Sequence, residues 1–410
     1  MIFRQFVDED LGCASYLIGD AGEAVVVDPA FAIEQYLDAA DQEGMRIVRV
    51  LETHTHADHL SGHGRFALEH GLPVAIHPLG NPEYPFEPLG DGMTLHAGPV
   101  VIEVVHTPGH RPEHCAFVVD GELVLTGDSL FVGNAARPDL AIEARQGATD
   151  LHHSLERLAM LPDATAVYPG HVAGSLCGIH MSEAHSSSIG LEKQTNHALH
   201  SNLNEFVEES ASLTTPKPPT TERVVALNRG PWVGARPALT EVAAPDGTLV
   251  LDVRPIDVFA AGHRPRAISV ALDGGSFATR SAFVLDPAEP ITVHAQSKAD
   301  ADEASRLLTA VGLFEQRGFL LGGGTETTLT LTARELELLD RDQQVLDVRE
   351  HAEAPESGWP RIPYRLLRAA PPGELDRSRP VYSICASGAR AMLATSLLAR
   401  FGFDARAVVG

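Results

Sequence analysis

The stretch "VLETHTHADHLSGH" places His54, His56, Asp58, His59 and His63 within ten positions, directly after an apolar run ending at Leu51. Imidazoles and a carboxylate without cysteine are the ligand types of a divalent transition metal, which needs at least three of them. Single residues of the same kind follow later apolar runs: His110 in "HTPGH", Asp128 in "LTGD" and His171 in "YPGH". Closely spaced His54 and His56 can face one ion, Asp58 and His59 can turn to a neighbouring one, and Asp128 could bridge the two. The order of residues leaves the metal count open. Taken singly, His63, His70, His77, His96, His114, His152, His153 and His180 read as surface residues without a role.

A second chemistry lies near the end of the chain. "CASGAR" (385–390) sits between the apolar run "RPVYSI" and a helical pattern, so backbone N–H groups and the helix start can surround the Cys385 sulfur with positive potential. Cys385 is the candidate nucleophile and Arg390 its cationic neighbour. Cys177, six residues after His171, is a candidate substrate-site thiol, with a buried structural thiol as the plainer reading.

These residues need elements to carry them. Over the first 170 residues "CASYLIG", "EAVVVD", "IVRVLE", "VIEVVH", "ELVLTG" and "TAVYPG" read as strands rich in β-branched residues. Helices are expected over 33–43, closed by Gly44, and over 151–161, capped by Asp150. "LTTPKPPTTE" from Leu213 cannot continue a helix and marks a connection. Beyond it the chain repeats itself. "LVLDVRPIDVF" (249–259) returns as "QVLDVREHAEA" (344–354), and residues 291–313 align without a gap on 381–403. Copy one has Ala295 where copy two has Cys385, and Asp300 where copy two has Arg390.

Composition sets the outer limits. The 410 residues suggest two or three domains, and 31 Lys+Arg against 55 Asp+Glu give a net charge of −24, which disfavours nucleic acid and anionic membrane surfaces as partners. Four scattered cysteines suit a reducing compartment, and no run of about 18 apolar residues or leader pattern is seen, so a cytoplasmic location is expected. Oligomeric state is not fixed, and a homo-oligomer is compatible.

The ordered set T-H-x-H-x-D-H, then His, Asp and His, resembles the metallo-β-lactamase superfamily. Across the whole chain the resemblance is to a persulfide dioxygenase fused to tandem rhodanese domains. It implies an α/β protein: an αββα sandwich over 1–210, a linker over 211–238, an inactive rhodanese-like domain over 239–328 and a rhodanese domain over 329–410. Carried over by position, one iron(II) per chain would be held by His54, His110 and Asp128, with His56, Asp58, His59 and His171 around it or holding a second metal. The implied substrates are a small thiol persulfide and O2, giving sulfite, with thiosulfate made or used at Cys385. The alternative is a two-zinc thioester hydrolase of the glyoxalase II type with attached sulfurtransferase domains; a sulfur carrier with a purely structural metal is a third reading.

Overall fold

The computed structural model describes residues 1–138, 143–172, 182, 184–212, 216–339, 343–353, 358–368 and 372–410; Cys177 lies outside them. The chain forms two compact units. The first holds Met1–Lys217 and Thr221–Arg236, the second Pro218–Thr220 and Pro237–Gly410.

In the first unit β1 (Ile2–Asp8), β2 (Cys13–Asp20), β3 (Glu23–Val27), β4 (Arg46–Leu51), β5 (Val74–Ile76) and β6 (Glu87–Pro88) make one sheet in chain order. β7 (Thr94–Ala97), β8 (Val100–His106), β9 (Cys115–Val119), β10 (Leu123–Gly127), β13 (Ala166–Pro169) and β14 (Ser187–Ser188) make a second, in the order β14-β13-β10-β9-β8-β7. A small hairpin, β11 (Leu130–Phe131) with β12 (Asn134–Ala135), lies between β10 and β13 in sequence. Each of the six apolar runs noted above is a strand.

Alternation along the strands builds two faces. Tyr16, Ile18, Val25 and Val27 of the first sheet meet Ile102, Val104, Phe117 and Leu125 of the second in the central core. The intervening Leu17, Val26 and Val50 point the other way, onto Ile33 and onto Tyr36, Ala40 and Phe66 from the helices Glu34–Gln42 and His63–His70. On the far side Val118, Val124 and Val167 pack under Leu151, Leu155, Leu158 and Phe206. Helices thus cover both outer faces, which is the expected αββα sandwich. The outer helix begins earlier than Asp150: it spans Ala144–Leu158, and Glu143 caps it by accepting from the Gln146 N–H.

The proline-rich stretch does not open a long extended linker. Residues Thr221–Arg229 are helical, with Val224 and Asn228 buried, so much of 211–238 is part of the first body. Propensity resumes immediately after Pro219, and burial of Asn228 fixes the helix in place.

The second unit carries the sequence repeat as two four-stranded parallel sheets. β15 (Leu249–Asp252), β16 (Ile268–Ser269), β17 (Ile291–His294) and β18 (Gln316–Leu320) run β16-β15-β17-β18. β19 (Thr330–Leu331), β20 (Gln344–Asp347), β21 (Val381–Ile384) and β22 (Ala405–Val408) run β19-β22-β21-β20. The equivalence extends to the edges. A parallel bridge of Glu241 to Phe319 stands where β19 pairs β22, and one of Asp347 to Arg361 where β16 pairs β15. In each copy the arginine of "LDVR" grips its own aspartate: Arg254 to Asp252 at 2.6 Å and Arg349 to Asp347 at 2.8 Å. Among the described residues no helix is long and apolar enough to cross a membrane.

Candidate metal centre and sulfur loop

Parallel pairing of β3 with β4 and of β10 with β13 puts the ends of those strands on one rim, where the ligand loops leave the sheets. His54 follows β4, His110 follows β8, Asp128 follows β10 and His171 follows β13. All four are buried.

His54, His110 and Asp128 offer ligand atoms within 4.8 Å of one another. Asp128 Oδ2 lies 3.4 Å from His110 Nε2 and 3.9 Å from His54 Nε2. The tautomers are set from behind. His110 Nδ1–H donates to the Arg137 carbonyl at 2.9 Å. Thr53 Oγ1 donates to Asp28 at 2.8 Å and so accepts from His54 Nδ1 at 2.9 Å. Both Nε2 lone pairs therefore face the carboxylate. Burial first, then neighbouring histidines, holds His54 well below the usual histidine range, and burial also lowers His110. Neither brings a proton to bridge the gap. Asp128 Oδ2 is buried without a hydrogen-bond partner. Three converging lone-pair donors repel one another unless a cation sits among them, so these residues fit a divalent metal, and two imidazoles with one carboxylate suit iron(II).

His56 behaves differently. Its Nε2 lies 3.3 Å from Asp28 and 3.2 Å from Glu52. Burial and His59 oppose its charge, but the two carboxylates outweigh them and raise it to about 9. Glu52, in turn, accepts from Ser61 Oγ at 2.5 Å and pairs with His63 Nδ1 at 2.9 Å. Against burial, His56 and His63 bring Glu52 down to about 2.

The remaining predicted residues form a third group. His171 Nδ1 lies 2.6 Å from Asp128 Oδ1, and its Nε2 lies 2.7 Å from Asp58 Oδ2. His59 Nδ1 is 3.2 Å from Asp58 and 3.4 Å from the sulfur of Cys13. Burial opposes the Asp58 charge, yet His171 and His59 outweigh it and hold the carboxyl well below its usual range.

Several residues went unrecognised in the sequence. His63, His114 and His152 are buried rather than surface histidines. His114 Nε2 accepts the Asp128 backbone N–H at 2.9 Å while its Nδ1 meets Thr107 at 2.8 Å, and burial lowers it to about 3. It holds the Asp128 backbone as a neutral acceptor. Gly127 makes the approach possible: at φ +48°, a Cβ there would stand 2.6 Å from His114 Nε2. Asn228 bonds the carbonyls of His56 and His59 and accepts the Ser61 N–H. Cys13 had carried no expected role.

In the second unit Cys385 follows β21. Its sulfur accepts from the N–H groups of Gly388 at 3.1 Å and Ala391 at 3.4 Å, at the start of the helix Ala389–Arg400. Arg390 does not stand alone: it binds Glu353 with two bonds, at 2.5 and 2.8 Å. At the matching place in copy one Ala295 is fully buried, and Asp300 lies in the helix cap made by Ser297.

Residues 8–171 match the metallo-beta-lactamase superfamily. Over 235 residues the chain is 29% identical to the persulfide dioxygenase ETHE1 of Bos taurus, covering 56% of this chain and 87% of that protein. A hydroxyacylglutathione hydrolase of Rhizobium etli is 34% identical over 140 residues, 33% of this chain and 52% of that protein. Among solved structures, a metallo-beta-lactamase from Staphylococcus aureus, 29% identical, superposes with a TM-score of 0.72 over 78% of this chain and 98% of its own. ETHE1 from Myxococcus xanthus, 30% identical, gives 0.51 over 56% of this chain and 98% of its own. The αββα unit, its rim of histidines and aspartates, and these likenesses agree: the chain belongs to the metallo-beta-lactamase superfamily, with persulfide dioxygenases among its relatives over the first 56% of its length.

Proposed function

We propose that the first unit is an iron(II)-dependent persulfide dioxygenase and that Cys385 of the second carries sulfane sulfur. The overall reaction is R–S–SH + O2 + H2O → R–SH + sulfite + two protons. One observation carries the reading: His54, His110 and Asp128 converge with an orphaned carboxylate oxygen, while His56 is turned to Asp28 and Glu52. Iron, when bound by these three, supplies open positions for a sulfur ligand and dioxygen and a route for electrons from one to the other.

The chain's own residues hold that centre and manage protons. Arg137 and Thr53 fix the two histidine tautomers. His171, bonded on both ring nitrogens to Asp128 and Asp58, links the metal carboxylate to a group nearer solvent: the Asp58 side chain is 19% exposed against 1% for Asp128. That chain can pass the protons that the products release. Sulfane sulfur transferred to Cys385 would rest in the loop amides, and sulfite would remove it as thiosulfate.

The group Cys13, Asp58, His59 and His171, also within 4.8 Å, favours a second reading as a two-metal thioester hydrolase. The two are separated by metal analysis of anaerobically purified protein with an oxygen electrode. One iron per chain, oxygen uptake and sulfite from a persulfide support the dioxygenase. Two metals per chain with thioester cleavage and no oxygen uptake would replace it.

A further inference from the structure

Beside Cys385 the second unit holds a cavity of about 450 Å³. Leu336, Leu339, Val345, Ile384, Val408 and Trp359 line it, and five of these also belong to or pack on one apolar cluster with Tyr382. Trp359 is 46% exposed, a large aromatic surface held at a pocket rather than in a core. Leu336 and Leu339 are half-buried and Trp359 is exposed, so these three present apolar surface to the cavity beside the polar Gln343, Glu337 and Arg349.

The charges point the same way. Arg349 lines the cavity, but Asp347 takes it at 2.9 and 2.8 Å and also lies 3.4 Å from Arg361. Arg390, the cation of the sulfur loop, is bound through both its terminal nitrogens by Glu353. Arg365 pairs with Glu350 at 2.9 Å, and Glu337 adds a carboxylate to the lining. Among the described residues the guanidiniums around the loop are matched by carboxylates. A dianion such as thiosulfate gains only the loop amides, whereas an uncharged body also covers the exposed faces of Trp359, Leu336 and Leu339.

We propose that Cys385 is loaded by an organic persulfide whose carrier is apolar and seats in this cavity against Trp359, and that thiosulfate is a product of the loop rather than its sulfur donor. The inference rests on the reading of Cys385 as the sulfur-carrying thiol. In the step, the Cys385 thiolate attacks the outer sulfur of R–S–SH. A Cys385–S bond forms, the R–S to S bond breaks, and the carrier leaves as R–S⁻, which takes the proton as R–SH. No external oxidant is consumed. Sulfite or cyanide then attacks the held sulfur and restores the Cys385 thiolate, leaving as thiosulfate or thiocyanate.

The test uses the full chain with 2-phenylethyl persulfide, glutathione persulfide and thiosulfate as alternative donors and cyanide as acceptor, reading thiocyanate and the intact mass of the loaded protein. The expected kcat/KM is at least about tenfold higher for 2-phenylethyl persulfide than for thiosulfate, and Trp359→Ala narrows that preference about tenfold. Glu353→Gln, an exposed change, uncovers the Arg390 charge and should raise thiosulfate use severalfold. Equal use of thiosulfate and the phenylethyl donor, or an unchanged preference in Trp359→Ala, overturns the proposal. Transfer that survives Cys385→Ala would instead overturn the sulfur-carrier reading beneath it.

Discussion

Asn228 donates its side-chain amide to the main-chain carbonyl of His59 at 2.8 Å, across 169 positions of sequence. The same amide nitrogen reaches the His56 carbonyl at 2.9 Å, and the Asn228 oxygen accepts the Ser61 N–H at 2.9 Å. One buried side chain therefore closes three backbone groups of the ligand loop. Asn228→Ala should cost about 1–3 kcal/mol by leaving them unpaired and weaken iron retention about 10–100-fold. Iron content after dialysis against a graded chelator, with urea unfolding alongside, measures both. Iron retention equal to wild type would show that the loop does not need the clasp.

Removing a ligand differs from removing a support. Asp128→Ala or His110→Ala should abolish iron binding and sulfite formation together, because a three-ligand site tolerates no loss. His171→Ala should keep part of the iron and lose about 10–100-fold in affinity or rate. Full iron occupancy with normal oxygen uptake in Asp128→Ala would rule out the one-iron triad.

The strands were readable in the sequence because β-branched alternation is a local pattern, and so were the His and Asp residues that directly follow them; the grouping of His54, His110 and Asp128 came from the family resemblance, because their spacing alone leaves the metal count open. His114, Glu52 and Asn228 were not readable. A buried polar residue declares itself only through its partner, and the partners of Asn228 sit more than 160 positions away. His63 and His152 were misread for the same reason, since Glu52 and the Ser201 carbonyl supply their bonds. The outer helix start was misplaced because Asp150 and Glu143 are both acceptable caps, and it is Glu143 that meets the Gln146 N–H.

The two units should divide the chemistry. Cys385→Ala should leave iron, oxygen uptake and sulfite formation from a small persulfide intact, while thiosulfate disappears and sulfite accumulates. Ala295→Cys should not restore transfer: Ala295 is fully buried and Asp300 stands where Arg390 does. Product partitioning under equal oxygen supply decides the matter. Loss of oxygen uptake in a folded Cys385→Ala protein would end the two-site scheme.

Acid should loosen the second unit. Burial opposes ionisation of Asp252, but His294 at 3.0 Å and Arg254 at 2.6 Å outweigh it and hold the carboxyl below its usual range. A depressed folded pKa means the stabilisation is complete above the unfolded value, about 4, and is lost as pH falls through the folded one. Asp252→Asn should cost about 3–5 kcal/mol at neutral pH and flatten this acid limb. Urea midpoints between neutral pH and pH 3, followed by Trp359 fluorescence in a Trp232→Phe background, would show it. A slope unchanged by the substitution would assign the acid sensitivity elsewhere.

The helix Thr221–Arg229 and Trp232, which stacks on Tyr84 at 3.7 Å, follow the proline-rich stretch and yet belong to the first body. The boundary of heredity is therefore not the boundary of composition. A recombination joining the first 212 residues to a foreign partner would carry His54, His110 and Asp128 and leave behind Asn228, which clasps the loop of His56 and His59. An exchange that carries the clasp along with the loop crosses over after Arg236.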